Sequence, residues 1–435
     1  MPSQKKLILL FLFVFLFLLG FGLCQSKWWE MDELQTYLIG LKCYTTHTWP
    51  YFGPDLNGAE NSFQSQIPGS LEGLIIGLPF YILPIPETPY IVLSLLTALG
   101  SALLAWYICR LIPRLSFTWT FLWIASTPWV LHKCDHIINP AYDFLPSVMF
   151  FIGFMESIPY FSVKRIPLVW CNALMGFSLF WIMQFHFSYV YLIPLAGFSL
   201  LLQVKETKSL RSILSFLAGA LPTLALIVPT FVKYGLSRSN VASGFTVPFN
   251  WHNVSEGLTI LARYFSLVCY ELPRYIGTST ASRFAFLNSH PWLWPFGSIL
   301  WVGGLIQPFV MLFVWFQKKH QIPGWTRLKI LILLMYLMIW VSFWFTVKLP
   351  LSHIYLVLYP WLMLYSFYCW AMFAENAKWR LLGKAFVVMG LLFQLGYALA
   401  VAPQDSIYNQ RPLVAKALQQ QDYRVLSERR EGSLY

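Results

Sequence analysis

The sequence predicts an all-α, polytopic membrane protein of about eleven transmembrane helices. Three observations carry that prediction. Hydrophobic residues make up 57% of the chain and charged residues only 11%, whereas soluble globular domains carry about 25% charged residues. Apolar runs of about 20 residues, enough to cross a bilayer as a helix, recur along the whole chain. The basic residues sit in short stretches between those runs, as loop charges that orient a membrane protein do. The net charge of +12 is thus a topology signal and does not imply a nucleic-acid partner.

The spans are expected at 6–24, 89–110, 116–131, 142–160, 166–183, 187–204, 211–232, 293–316, 328–347, 351–374 and 381–402. Lys5 and Lys6 followed by an apolar run to Cys24 resemble a signal peptide, but the run is too long and no small-residue cleavage site follows. It is the first span. Residues 27–44 come next. Met31, Leu34, Leu38 and Leu41 recur at helical spacing, Trp28 and Trp29 suit a membrane surface, and Glu30, Asp32 and Glu33 crowd the start. This predicts an interfacial helix that presents carboxylates to water. Gly53 to Gly69 is turn-rich. Residues 70–84 are apolar but short and broken by Pro79 and Pro84, so they read as re-entrant or interfacial.

Lys5/Lys6, Arg110/Arg114, Lys164/Arg165, Lys205/Lys208/Arg211, Lys318/Lys319/Arg327/Lys329 and Lys378/Arg380/Lys384 fall in alternate loops. The positive-inside rule then places the N-terminus in the cytoplasm and, with eleven spans, the tail outside. A transmembrane domain of 1–402 is expected, with long external connections at 25–88 and 233–292 and a polar tail at 403–435. The tail is a small helix or disordered. The second connection should hold a membrane-lying helix near 255–271. It contains Asn253-Val254-Ser255, a glycosylation sequon in a eukaryotic host. Seven cysteines are spread singly, as buried apolar residues commonly are, although Cys43 and Cys134 both fall in predicted external loops and could pair.

The acids cluster at one predicted face. The first external loop holds Glu30, Asp32, Glu33, Asp55, Glu60, Glu72 and Glu87, and the next runs His132-Lys133-Cys134-Asp135-His136-Ile137-Ile138-Asn139-Pro140, with Asp143 beyond. Two explanations of Asp32 stand side by side. It complements the positive end of a helix dipole, or it is a catalytic base. His132, Cys134, Asp135 and His136 are metal-ligand types at a spacing that fits no closed tetrahedral pattern, so a divalent metal stays open. External cations are Lys348 and His353, and more weakly Arg263, Arg274 and Arg283. Each is ordinarily a snorkelling or solvated group. His186 is ordinarily structural.

The layout resembles the GT-C polytopic glycosyltransferases of the protein O-mannosyltransferase and aminoarabinose-transferase type, which use lipid-phosphate-linked sugars. Four features carry the resemblance. Asp32-Glu33 follows the first span at once on an interfacial helix. Pro68-Gly69-Ser70-Leu71-Glu72-Gly73 leads into a short apolar segment. Asp135 to Pro140 ends in Asn-Pro after the third span. His353, Tyr355, Tyr359 and Pro360 stand late in the chain. Asp135 stands four residues before Asn139, a departure from the tidier acidic motif of several members. The resemblance implies transfer of a sugar from a polyprenyl phosphate to a lipid, glycan or protein acceptor, with inversion, outside the membrane. It implies Asp32 as base, Glu33 orienting the acceptor, and Asp135, Asn139, Lys348, His353 and Tyr355 binding substrate. The compact loops point to a bacterial inner-membrane enzyme. A flippase of lipid-linked sugars would place charges near the bilayer midplane in repeated halves, and no repeat is found. A non-catalytic assembly protein would tolerate Asp32→Asn.

Overall fold

The computed structural model describes residues 3–25, 31–55, 66–161, 163–235, 249–271, 276–277, 279–317, 324–346, 352–402 and 407–423. α1 (Gln4–Gln25) leads to α2 (Met31–Thr46), and α3 (Leu71–Gly77) continues as a 3-10 turn, Leu78–Tyr81. Next come α4 (Thr88–Leu111), α5 (Phe117–Ser126), α6 (Pro128–Lys133), α7 (Phe144–Ser157), α8 (Leu168–Ile182) and α9 (Leu192–Thr207). α10 (Arg211–Ala225) and α11 (Val228–Tyr234) form a pair bent by 57°. α12 (Trp251–Ser255), α13 (Gly257–Ser266) and α14 (Thr280–Ser289) are short. α15 (Trp294–Phe316), α16 (Trp325–Phe343), α17 (Tyr359–Ala371) and α18 (Ala377–Val401) complete the bundle, and α19 (Ile407–Gln420) follows.

Seven described helices are long and apolar enough to cross a membrane, and the bent pair would make an eighth. The three remaining expected spans fall on shorter helices. The one at 116–131 is broken into α5 and α6 because Thr127, ahead of Pro128, is extended at ψ 139°, the conformation that a following proline favours. Those at 142–160 and 166–183 become α7 and α8. This is a multi-pass membrane protein.

α17 is the hub of the main core. Trp361 is fully buried, with Phe150, Phe151 and Phe154 of α7 at ring-centroid distances of 6.2, 5.1 and 5.9 Å. The Tyr359 hydroxyl meets Thr127 Oγ1 at 2.7 Å, fixing the α5–α6 break against the hub. The basic stretches gather at one end. Arg114 pairs with Glu375, the Arg327 guanidinium lies 3.7 Å from the Tyr160 ring, and Lys384 stands over Trp119. Glu156 accepts hydrogen bonds from the Tyr107 hydroxyl and the backbone N–H groups of Val163 and Arg165 there. α4 runs from this end to the other, about 36 Å at 1.5 Å per residue. At the far end a second apolar cluster joins Leu34, Leu38 and Leu41 of α2 to Leu71, Ile76, Phe80, Tyr142, Phe185, Val414 and Leu418.

Several expectations change. Glu33 of α2 does not face water, because α3, the stretch after α6 and α19 cover the helix. Glu33 is 3% exposed, and Gln35, Thr36 and Tyr37 are buried with it. Trp28, Trp29 and Glu30 lie outside the described residues. The turn-rich stretch begins and ends in a strand pair: β1 (Phe52–Asp55) runs antiparallel to β2 (Gln66–Pro68). The apolar segment 70–84 ends in an exposed tip of Leu78, Tyr81 and Ile82. The helix expected near 255–271 is α12 and α13. The sequon cannot be glycosylated in this fold, since Asn253 is 1% exposed and donates to the Phe343 and Thr346 carbonyls, both at 2.9 Å. All seven cysteines are free. Cys43 lies against Gly77, while the Cys134 carbonyl accepts from Thr97.

Candidate active site

Four segments converge at the α2 end of the bundle. α2 and α3 cross in backbone contact: a Cβ on Gly77 would sit 2.7 Å from the Gly40 carbonyl oxygen, so only glycine allows this approach. Just before α3, Gly69 takes φ +144°, and any side chain there would meet Gln184 within 2.6 Å. Gln184 in turn accepts from Leu71 N–H and donates to the Thr223 carbonyl, tying the start of α3 to the α8 exit and to α10. The 3-10 turn Asn139–Asp143 packs against a second 3-10 turn, Ser352–Leu358, ahead of α17.

Between these segments lies a buried polar cluster. Glu33 Oε1 meets His136 Nδ1 at 2.8 Å, with the two side chains 4% and 15% exposed. Thr36, one turn along the same face of α2, stands beside Glu72 of α3. Tyr142 and Asp143 lie within electrostatic reach of Glu72. Glu72 is completely buried, and burial pushes its carboxyl up to about 8, with Thr36 tempering the shift. Among the described residues, four side chains here keep a buried atom without a hydrogen-bond partner, Glu33 Oε2, His136 Nε2, the Tyr142 hydroxyl and Asp143 Oδ1, while Thr36 hydrogen-bonds the buried Glu72 carboxyl. Unpartnered buried groups cost about 1–3 kcal/mol each. Their concentration on facing segments is the mark of a place built to hydrogen-bond a polar ligand.

No protein-family model and no curated protein matches this sequence. Among solved structures, the chain is similar to the crystal structure of ArnT from Cupriavidus metallidurans bound to undecaprenyl phosphate. The TM-score is 0.51 and the identity 11%, over 96% of this chain and 78% of the other. This is the GT-C fold. The segments that carry the four sequence features are the four that converge at this end of the bundle.

Within the GT-C fold the individual candidates are placed unevenly. Asp32 lies in the first turn of α2, immediately before Glu33. Asp135 points away from His136. Its carboxyl is buried against Gly22 of α1 and accepts from Ser94 Oγ of α4 at 3.3 Å, and burial raises its proton affinity well above the usual carboxylate range. Asn139 donates to the Phe185 carbonyl at 3.1 Å. Tyr355 is fully buried in the turn that meets Asn139–Asp143, its hydroxyl has no hydrogen-bond partner among the described residues, and Arg263 of α13 lies within electrostatic reach. His353 lies in the same turn, and Lys348 and Arg274 lie outside the described residues. Arg283 donates to the Gly277 carbonyl at 2.9 Å. His186 caps the turn Phe187–Tyr191 by accepting from Ser188 N–H, and burial lowers it to about 4, the form that can accept.

Glu72 and Asp143 were not singled out as site residues from the sequence, and His136 was weighed only as a metal-ligand type. The available signal was Glu72 itself, a lone acid in an apolar segment between prolines. No group of three His, Cys, Asp or Glu among the described residues is arranged to hold a metal ion. The His132 and His136 rings stand 6.1 Å apart, and Asp135 faces another helix.

Proposed function

We propose that this protein is a membrane glycosyltransferase. It moves a sugar from a polyprenyl-phosphate donor to a lipid, glycan or protein acceptor on the extracytoplasmic face, inverting the anomeric carbon. The observation that carries this reading is the buried cluster of carboxylate, hydroxyl and imidazole groups, several with no hydrogen-bond partner among the described residues, at the end of a GT-C bundle. The fold neighbour's bound undecaprenyl phosphate supports a donor of that class.

The chemistry assigns the roles. The acceptor hydroxyl or amine attacks the anomeric carbon, and its proton passes to the Asp32 carboxylate. The bond from that carbon to the phosphate oxygen breaks, and the phosphate leaves with the electron pair. Glu33 orients the acceptor, held in place by His136. The leaving phosphate needs positive charge and no general acid. Lys348 and His353 supply it, with Arg263 beside Tyr355. Asn139 and Tyr355 bind the donor sugar from the two packed turns, and Asp135 contributes by fixing the stretch that carries His136. The domain division at residue 402, a cytoplasmic N-terminus and a bacterial inner-membrane location belong to the same proposal.

Purified protein in liposomes, given polyprenyl-phosphate sugars, should release polyprenyl phosphate in proportion to acceptor glycosylated. Movement of labelled lipid between leaflets with no cleavage would favour a flippase instead.

A further inference from the structure

The tail helix α19 folds back onto the first connection of the chain. Leu413, Val414, Ala417 and Leu418 form one apolar face. Val414 and Ala417 are fully buried in the cluster that holds Leu34, Tyr37, Leu38 and Leu41 of α2. Beyond the helix, Lys42 Nζ stands 5.6 Å from the Tyr423 ring. A polar route runs in parallel. Arg411 Nε donates to Glu87 Oε1 at 2.7 Å, and the Glu87 side chain is only 12% exposed. The neighbouring Pro86 carbonyl accepts from the Tyr37 hydroxyl at 2.9 Å. Tyr37 is one helical turn from Glu33, which contacts His136 at 2.8 Å. Two short contacts thus join α19 to α2 one helical turn from its acid pair.

We propose that Arg411 is a positioning residue: through Glu87 and Tyr37, α19 sets the register of α2 and so the placement of Asp32 and Glu33. The idea rests on the transferase reading for its kinetic consequence. Its mechanical part stands alone. A chain that is buried on one face and ion-paired on another restrains rotation of α2 about its axis, and small misplacements of reacting groups are costly in rate.

The test uses the full chain, purified, with Arg411→Ala, Arg411→Lys, Glu87→Ala and the Arg411→Ala/Glu87→Ala double variant. Turnover of folded protein should fall about tenfold in Arg411→Ala, with the donor KM within about twofold of wild type. Arg411→Lys should recover most of the rate, and the double variant should be no slower than either single alanine variant. Amide hydrogen exchange over 31–46 should rise in Arg411→Ala while the spans stay protected. Wild-type turnover and unchanged exchange in Arg411→Ala would overturn the proposal, as would additive single effects. If wild type transfers no sugar, the transferase reading fails. The exchange result then decides the strap: faster exchange confined to α2 supports it, and none refutes it.

Discussion

Glu72 gives the sharpest quantitative expectation. Its carboxyl is fully buried and its proton affinity is raised from 4.5 to about 8, mainly by desolvation. In the unfolded chain it ionises near 4.5, so between pH 4.5 and 8 the folded state holds a proton that the unfolded state has lost. The contribution of Glu72 to stability is therefore greatest below pH 4.5, falls across that window and levels off above about pH 8. At about 1.36 kcal/mol per tenfold in proton affinity, the full drop is about 5 kcal/mol, and water entering with the charge reduces it. For 435 residues at about 2.1 cal/mol/K each, this is about 5 °C in melting temperature. Glu72→Gln keeps the shape and has no charge to bury. In detergent, wild type and Glu72→Gln should melt at similar temperatures at pH 5, and the variant should melt about 5 °C higher at pH 8.5. Parallel pH traces for the two proteins would refute a buried, proton-holding Glu72.

Other expectations follow from single contacts. Glu33→Gln and His136→Ala should each slow transfer, and the double variant should fall short of the summed effects by about 0.5 kcal/mol or more, because the 2.8 Å contact is shared. Simple additivity in a double-mutant cycle would separate the two roles. Gly77→Ala should lower thermal stability by about 1–3 kcal/mol, since its new methyl would stand 2.7 Å from the Gly40 carbonyl oxygen and backbone has little room to yield. An unchanged melting temperature would mean that α2 and α3 are not locked.

The bundle was legible because hydropathy and loop charge report directly on a bilayer, and the eleven expected spans all fall on helices. What sequence could not show was burial at the site. Periodicity placed Leu34, Leu38 and Leu41 on one face of α2 and left Glu33 facing water. α3 and the stretch after α6 cover that second face, and nothing local to residues 31–46 signals their arrival. Asp135 and His136 make the same point, since adjacent residues in an irregular stretch face different helices and spacing does not decide which. The tail read as polar and chemically silent because Val414, Ala417 and Leu418 form a narrow apolar stripe among glutamines and charges.

The central claim is a sugar transfer that depends on the α2 acids. The most direct measurement is transfer of radiolabelled sugar from polyprenyl-phosphate donors in membranes that carry equal amounts of wild type or Asp32→Asn. Wild type should transfer label to acceptor, and the variant should lose at least about a hundredfold in rate, as expected for a removed general base. Equal transfer by both proteins would contradict Asp32 as the base, and failure of wild type with every donor would contradict the transferase.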